Sequence, residues 1–273
     1  MGGDSMNVVA LEQATDATVF GNKAAGLARL ASHGLRVPPG FAIGWDVAMR
    51  IETWSETIRD EVRRRVAAVG FPVAVRSSAL DEDSNAASFA GQYLTVLNVK
   101  TEQAVFDAIA KVCASAVTAA AEEYRRRLGI AREPRVAVVV QRLVPADVAG
   151  VCFTVNPVTR DDERLVSASW GLGEAVVQGL VVPDNVRMQR GGRRLQYDVG
   201  RKNVQVTSAA DGATETVRVA ADRAAAPCLG DADLRQLDAV ATACEGLYGQ
   251  SVDFEWAFHE SELYVLQCRP VTT

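Results

Sequence analysis

The sequence predicts an α+β fold in two lobes. The chain has 273 residues, of which 48% are hydrophobic, enough for a substantial core. Helical and strand patterns follow one another without the strict βαβ rhythm of a doubly wound sheet, and there is no internal repeat.

Each element has its own signal. Phe20–Leu30 reads as a turn feeding a short helix with Leu27 and Leu30 inward, ended by Gly34. Pro38-Pro39-Gly40 turns the chain into a strand at Phe41–Ile43. Val47, Ile51, Trp54, Ile58, Val62 and Val66 recur at spacings of four and three, which predicts one long helix closed by Gly70. A strand at Phe71–Arg76 opens into a long small-residue loop, Ser77–Gln92, followed by a strand at Tyr93–Val99. Thr101 caps a helix running towards Gly129, and Val136–Val140 is a β-branched, buried strand. Gly150–Thr154 is a strand leading to the turn Asn156-Pro157, and Trp170–Glu174 is a turn opening a short helix. Strands near Val186–Gln189 and Gln205–Val219, a helix at Asp231–Tyr248 and a strand pair at Val252–Phe258 and Leu263–Gln267 finish the chain.

Composition excludes several functions. The 34 acidic residues outnumber 29 Lys plus Arg, a net charge of −5, so there is no broad basic field for nucleic acid. The longest apolar run, Ala108–Ala121, is interrupted by Lys111 and falls short of the ~20 residues that span a bilayer. The start lacks the regions of a signal peptide, and Met6 stands where a myristoylation pattern needs a hydroxyl. Cys113, Cys152, Cys228, Cys244 and Cys268 are scattered without a C-x-x-C pair, the usage of reduced thiols in a cytoplasmic protein.

The chemistry concentrates in a few places. On the closing strand pair Asp253 and Glu255 share one face, as do Gln267 and Arg269. A carboxylate beside an amide oxygen suits Mg²⁺, and a guanidinium suits a phosphate oxygen. The competing reading is a solvated edge hairpin. The loop Ser84–Gln92, with Arg76 at its base and hydroxyls at Ser84, Ser88 and Thr95, can cradle phosphate, or it is an ordinary surface loop. Lys23, near a helix start, can meet a phosphate as a point charge or simply face solvent. There is no G-x-x-x-x-G-K-[ST] and no G-x-G-x-x-G after a strand. His33 and His259 are the only histidines and both fall in turns, so transition-metal and Ser-His-Asp chemistry lack their parts.

Taken together, Gly21-Asn22-Lys23-Ala24-Ala25-Gly26-Leu27, Val37-Pro38-Pro39-Gly40-Phe41, Ala74-Val75-Arg76-Ser77-Ser78-Ala79, Ser88-Phe89-Ala90-Gly91-Gln92, Gly150-Val151-Cys152-Phe153-Thr154 with Asn156-Pro157, Trp170-Gly171-Leu172-Gly173-Glu174, Pro183-Asp184, and Asp253-Phe254-Glu255-Trp256 with Leu266-Gln267-Cys268-Arg269-Pro270 occur in a characteristic order. In that order the chain resembles, from about Val8 to Thr273, the nucleotide-binding domain of the phosphoenolpyruvate synthase, pyruvate phosphate dikinase and rifampin phosphotransferase family.

The resemblance implies a single ATP-grasp domain over residues 1–273, with approximate lobes 1–134 and 135–273 and with ATP and Mg²⁺ bound between them. It implies that Lys23, Arg76 and Arg269 are the catalytic basic groups. Gly91, Gln92 and Thr95 match the loop closing over the phosphates, Gln141 to Leu143 the hinge strand whose backbone meets adenine, and Lys202 a second basic group near the phosphates. Glu255 and Gln267 match the Mg²⁺ ligands, with Arg269 beside them on the triphosphate. Two departures stand out: the Ile43–Phe71 region carries one helix where the family has a longer insertion, and no histidine sits in the Gly-Thr-Ser-His context of the family's phosphorylated carrier. The resemblance therefore implies a phosphotransferase that yields AMP and phosphate, with the carrier histidine on a separate partner protein. Direct phosphorylation of a small-molecule acceptor and a non-catalytic ATP-binding regulatory module are the alternatives.

Overall fold

The structure is a computed structural model describing residues 7–80, 83–84, 87–88, 94–118, 126 and 134–271. The chain forms two compact units, one of residues 1–32, 38–143 and 211–213, the other of 33–37, 144–210 and 214–273. The division falls after Leu143, later than the expected boundary at 134, because the strand at 136–142 lies inside the first sheet.

In the first unit, β1 (Val8–Ala10) leads through a 3-10 turn to α1 (Ala17–Ser32), then β2 (Gly40–Ile43), α2 (Trp45–Ala48) and α3 (Glu56–Val69). β3 (Val73–Ala79), a two-residue pair β4 (Asp83–Ser84) and β5 (Ala87–Ser88), β6 (Thr95–Val99), α4 (Glu102–Ser115) and β7 (Val136–Arg142) complete it. The main sheet runs β1-β2-β7-β3-β6 with every pair antiparallel. Alternation divides the faces: Val73, Val75 and Ala79 of β3, with Val136, Val138 and Val140 of β7, pack in one core with Val62 and Val66 of α3 and Ile109 and Val112 of α4. The intervening residues Arg76 and Ser78 face α1, as the bonds of Ser78 to that helix show.

The helix expected across Val47–Val66 is broken. Trp54 is extended (φ −60°, ψ 130°) and its indole N–H donates to the Val47 carbonyl at 2.8 Å, while the Ser55 hydroxyl accepts from Ile58 N and starts α3 afresh. Both pieces put their apolar residues into the same core, so the spacing of apolar residues runs through a break that the Ser55 cap creates. Thr101 caps α4 as expected, its hydroxyl accepting from Ala104 N at 3.2 Å. The helix is described only to Ser115, so its expected run towards Gly129 passes outside the described residues.

The second unit contains β8 (Val148–Phe153), β9 (Arg164–Trp170), α5 (Glu174–Val177), β10 (Asp184–Met188), β11 (Arg194–Asp198), β12 (Val204–Ser208), β13 (Thr214–Arg218), α6 (Ala221–Ala224), α7 (Asp231–Tyr248), β14 (Val252–His259) and β15 (Glu262–Pro270). Its antiparallel sheet runs β11-β10-β9-β8-β14-β15. Helix α7 covers the face that carries Phe254, Cys152 and Val166; from that face the fully buried Arg164 reaches Asp238 and, at 2.8 Å, Thr242 of the helix. The sheet's β15 edge is covered by residues 33–37, where the Arg36 carbonyl accepts from Val265 N at 2.8 Å.

Besides the short pair β4 and β5 in the expected loop, β1, β9 and β11 escape the sequence pattern. β1 has only three residues, β9 begins on a charged residue that a buried ion pair neutralises, and β11 is an exposed edge strand with little apolar content. The single strand expected over Gln205–Val219 is instead the hairpin of β12 and β13, turned at Asp211-Gly212.

Candidate functional site

Each unit presents one group of the expected residues. In the first, Arg76 of β3 lies directly across from Thr95 of β6, so the two side chains share a face. Ser78, two residues on, lies on that face as well and meets α1. From α1 the Lys23 amine, 8% exposed, donates to the Ser77 carbonyl at 2.8 Å. Lys23, Arg76 and Thr95 are therefore gathered about the middle of β3. The expected ligands Gly91 and Gln92, and the side chains of Ser84 and Ser88, lie outside the described residues.

The strand expected to be the hinge is bonded to its neighbours in the first unit. The Gln141 amide is buried and donates to the Pro38 carbonyl at 2.9 Å, Arg142 N donates to Pro39 O at 2.8 Å, and Leu143 N donates to Pro72 O at 3.0 Å. The N–H groups of Arg142 and Leu143 thus extend the bonding on either side of β7.

In the second unit the closing hairpin sets Asp253 opposite Arg269 and Glu255 opposite Gln267. Phe254 and Cys268 turn inward towards α7, which leaves the four polar side chains on the other face, beside Val151 and Phe153 of β8. Arg269 takes the Asp253 carboxylate in its fork, Nε at 2.9 and 3.1 Å and Nη2 at 3.1 Å. Burial pushes the Asp253 carboxyl above the usual carboxylate range; Arg269 opposes that, and the neighbouring Glu255 charge adds to it. Asp253 was visible on this face in the sequence through its i, i+2 relation to Glu255. That a carboxylate meets Arg269 across the hairpin was expected; that it is Asp253 comes from the register.

Lys202, expected near the phosphates, is enclosed within the second unit. It has no solvent exposure, and its amine donates to Asp184 and, at 3.3 Å, to the Gly200 carbonyl. Asp184, equally enclosed, also accepts from Tyr197 Oη, Gly200 N and Cys228 N, each at 2.8 Å, and from Cys228 Sγ at 3.1 Å. Burial pushes this carboxyl up, but the donors from Lys202, Cys228 and Gly200 together hold it below the usual range. A buried ammonium needs a paired, hydrogen-bonded anion, and Asp184 fills that role. In this structure the Lys202 amine is taken up by Asp184 and the Gly200 carbonyl.

Among the described residues no three His, Cys, Asp or Glu side chains stand together as a metal cluster. A Glu255 carboxylate facing a Gln267 amide still fits Mg²⁺, which binds through one or two carboxylates and takes its remaining ligands from water and substrate phosphates.

Residues 47–273 match the family model described as "Pyruvate phosphate dikinase, AMP/ATP-binding domain". The chain belongs to that family. It is 36% identical to an uncharacterized phosphotransferase of Bacillus subtilis, an alignment covering 98% of this chain and 35% of that protein. It is 33% identical to a probable phosphoenolpyruvate synthase of Methanothermobacter thermautotrophicus (94% of this chain, 44% of that one) and 34% identical to a rifampicin phosphotransferase of Streptomyces sviceus (93% and 34%). The chain thus spans between a third and a half of the length of these relatives. A crystal structure of a Pyrococcus horikoshii protein aligns over 96% of this chain and 97% of its own, with 12% identity and a TM-score of 0.47. No helix among the described residues is long and apolar enough to cross a membrane.

Proposed function

We propose that this chain binds Mg-ATP and transfers a phosphoryl group from it, as the ATP-grasp component of a phosphotransferase. The observation that carries the reading is the cross-strand quartet of β14 and β15: two carboxylates, an amide and a guanidinium on one face, in a chain of an AMP/ATP-binding family. Lys23, Arg76 and Arg269 bind the polyphosphate and neutralise its charge, and the Thr95 hydroxyl adds a donor. Glu255 and Gln267 would hold Mg²⁺, which supplies charge neutralisation between phosphate oxygens. Asp253 orients Arg269 by occupying Nε and Nη2.

The acceptor in this proposal is a histidine of a partner protein. His33 is exposed in a turn, and His259 lies at the far end of β14, four residues beyond Glu255 and beside Asp147. A histidine nitrogen that displaces AMP from the β-phosphorus, with water releasing the γ-phosphate, balances to phosphohistidine, AMP and phosphate. The relatives named phosphoenolpyruvate synthase and rifampicin phosphotransferase support a small molecule as the final acceptor. All five cysteines are buried and unpaired, which supports a reducing, cytoplasmic setting.

Nucleotide products distinguish the possibilities. The protein incubated with Mg-ATP, with and without the products of neighbouring genes, should release AMP only when a histidine-bearing partner is present. ADP formed with a small acceptor alone would instead mean direct kinase action. Tight ATP binding with no turnover under any condition would mean a regulatory module.

A further inference from the structure

The helix carrying Lys23 is interrupted, and a side chain from another element occupies the interruption. In an unbroken α1 the Phe20 carbonyl would accept from Ala24 N, four residues on. Here the Ser78 hydroxyl stands in that bond: it donates to Phe20 O at 2.7 Å and accepts from Ala24 N at 3.0 Å. Between them Gly21 takes a non-helical conformation, φ 76° and ψ 166°. A side chain there would collide with β3, since a Cβ on Gly21 would lie 2.0 Å from the Ser78 carbonyl oxygen. Ser78 has no solvent exposure, and both bonds of its hydroxyl are to α1.

One consequence falls on Lys23, two residues past the break, whose amine meets the carbonyl of Ser77, the residue before Ser78. Closing the helical ladder directly would return Gly21 to helical dihedrals and rotate every following side chain about the helix axis, carrying Lys23 off β3. We infer that Ser78 is a positioning residue: its hydroxyl, inserted into α1, holds the break that aims Lys23 along β3 beside Arg76. This rests on the reading of Lys23 as a phosphate ligand.

A double-mutant cycle on the full chain tests it, with the dissociation constant of ATP in excess Mg²⁺ measured by calorimetry and the melting temperature followed in parallel. Ser78→Ala should weaken ATP by about tenfold or more, the usual loss when an orienting partner is removed. In a Lys23→Ala background the same substitution should change the constant by less than about twofold, because the group it positions is gone. Wild-type affinity in Ser78→Ala, beside a weakened Lys23→Ala, overturns the inference and leaves the phosphate reading intact. Equal weakening in both backgrounds also overturns it, since Ser78 would then act through the fold at large. Wild-type affinity in Lys23→Ala overturns the phosphate reading itself. Should Ser78→Ala not fold, Ser78→Cys, of similar size but a weak donor, takes its place in the cycle.

Discussion

Arg269 faces Asp253 across the last hairpin and holds both of its carboxylate oxygens, through Nε at 2.9 and 3.1 Å and Nη2 at 3.1 Å. A guanidinium gripped in this way is fixed in plane and direction, which a lysine on a flexible stem is not. The arrangement makes an orienting pair out of two residues separated by 16 positions in the sequence.

Arg269→Lys keeps the charge and loses the fork. A charge-assisted hydrogen bond contributes roughly 1.5–3 kcal/mol, so the ATP dissociation constant should rise about ten- to hundredfold with little change in melting temperature. Calorimetric titration with Mg-ATP measures this; an unchanged constant removes Arg269 from the ligand set.

Glu255→Gln replaces a carboxylate by a neutral amide opposite Gln267. The wild-type protein should bind ATP more tightly as Mg²⁺ is added, and the variant should lose most of that increment while keeping metal-free binding. Titrations with Mg²⁺ and with a chelator decide it, and a variant with the full Mg²⁺ increment refutes the metal role.

Lys202→Met leaves the Asp184 carboxylate buried without its cation. Breaking a buried ion pair from one side costs about 3–5 kcal/mol, so the urea midpoint should fall substantially, while the folded variant binds ATP as the wild type does. Weakened ATP binding at unchanged stability would return Lys202 to the phosphate ligands.

Asp184 also sets a pH dependence. Its carboxyl is held below the ordinary value of 3.8, so the stability it contributes is complete above that pH and is lost as pH falls through the lower, folded-state value. The stability gap between wild type and Asp184→Asn should therefore be constant at pH 5 to 7 and shrink below about pH 3.8. Urea unfolding across that range measures the gap, and one that widens on acidification has the wrong sign.

Much of the candidate site was legible because strand geometry repeats every two residues. Asp253 and Glu255, or Gln267 and Arg269, share a face in any strand, and the small-residue turns at Gly21 and Trp170–Glu174 announce themselves by composition. The enclosure of Lys202 was not legible because a lysine in sequence carries no sign of its burial; the donors gathered on Asp184 from Tyr197, Gly200 and Cys228 show it. The continuous helix expected over Val47–Val66 failed for a related reason, since periodicity records which residues face the core and not where the backbone restarts.

By itself the sequence determined the α+β class, most of the strands and helices and the family, all properties of local order along the chain. Tertiary structure alone decided which residues meet: the register that puts Glu255 against Gln267, the enclosure of Lys202, and the hydroxyl of Ser78 inside a helix that begins 61 positions before it. Such contacts join residues distant in sequence, and their geometry follows from the packing of whole elements rather than from any local preference.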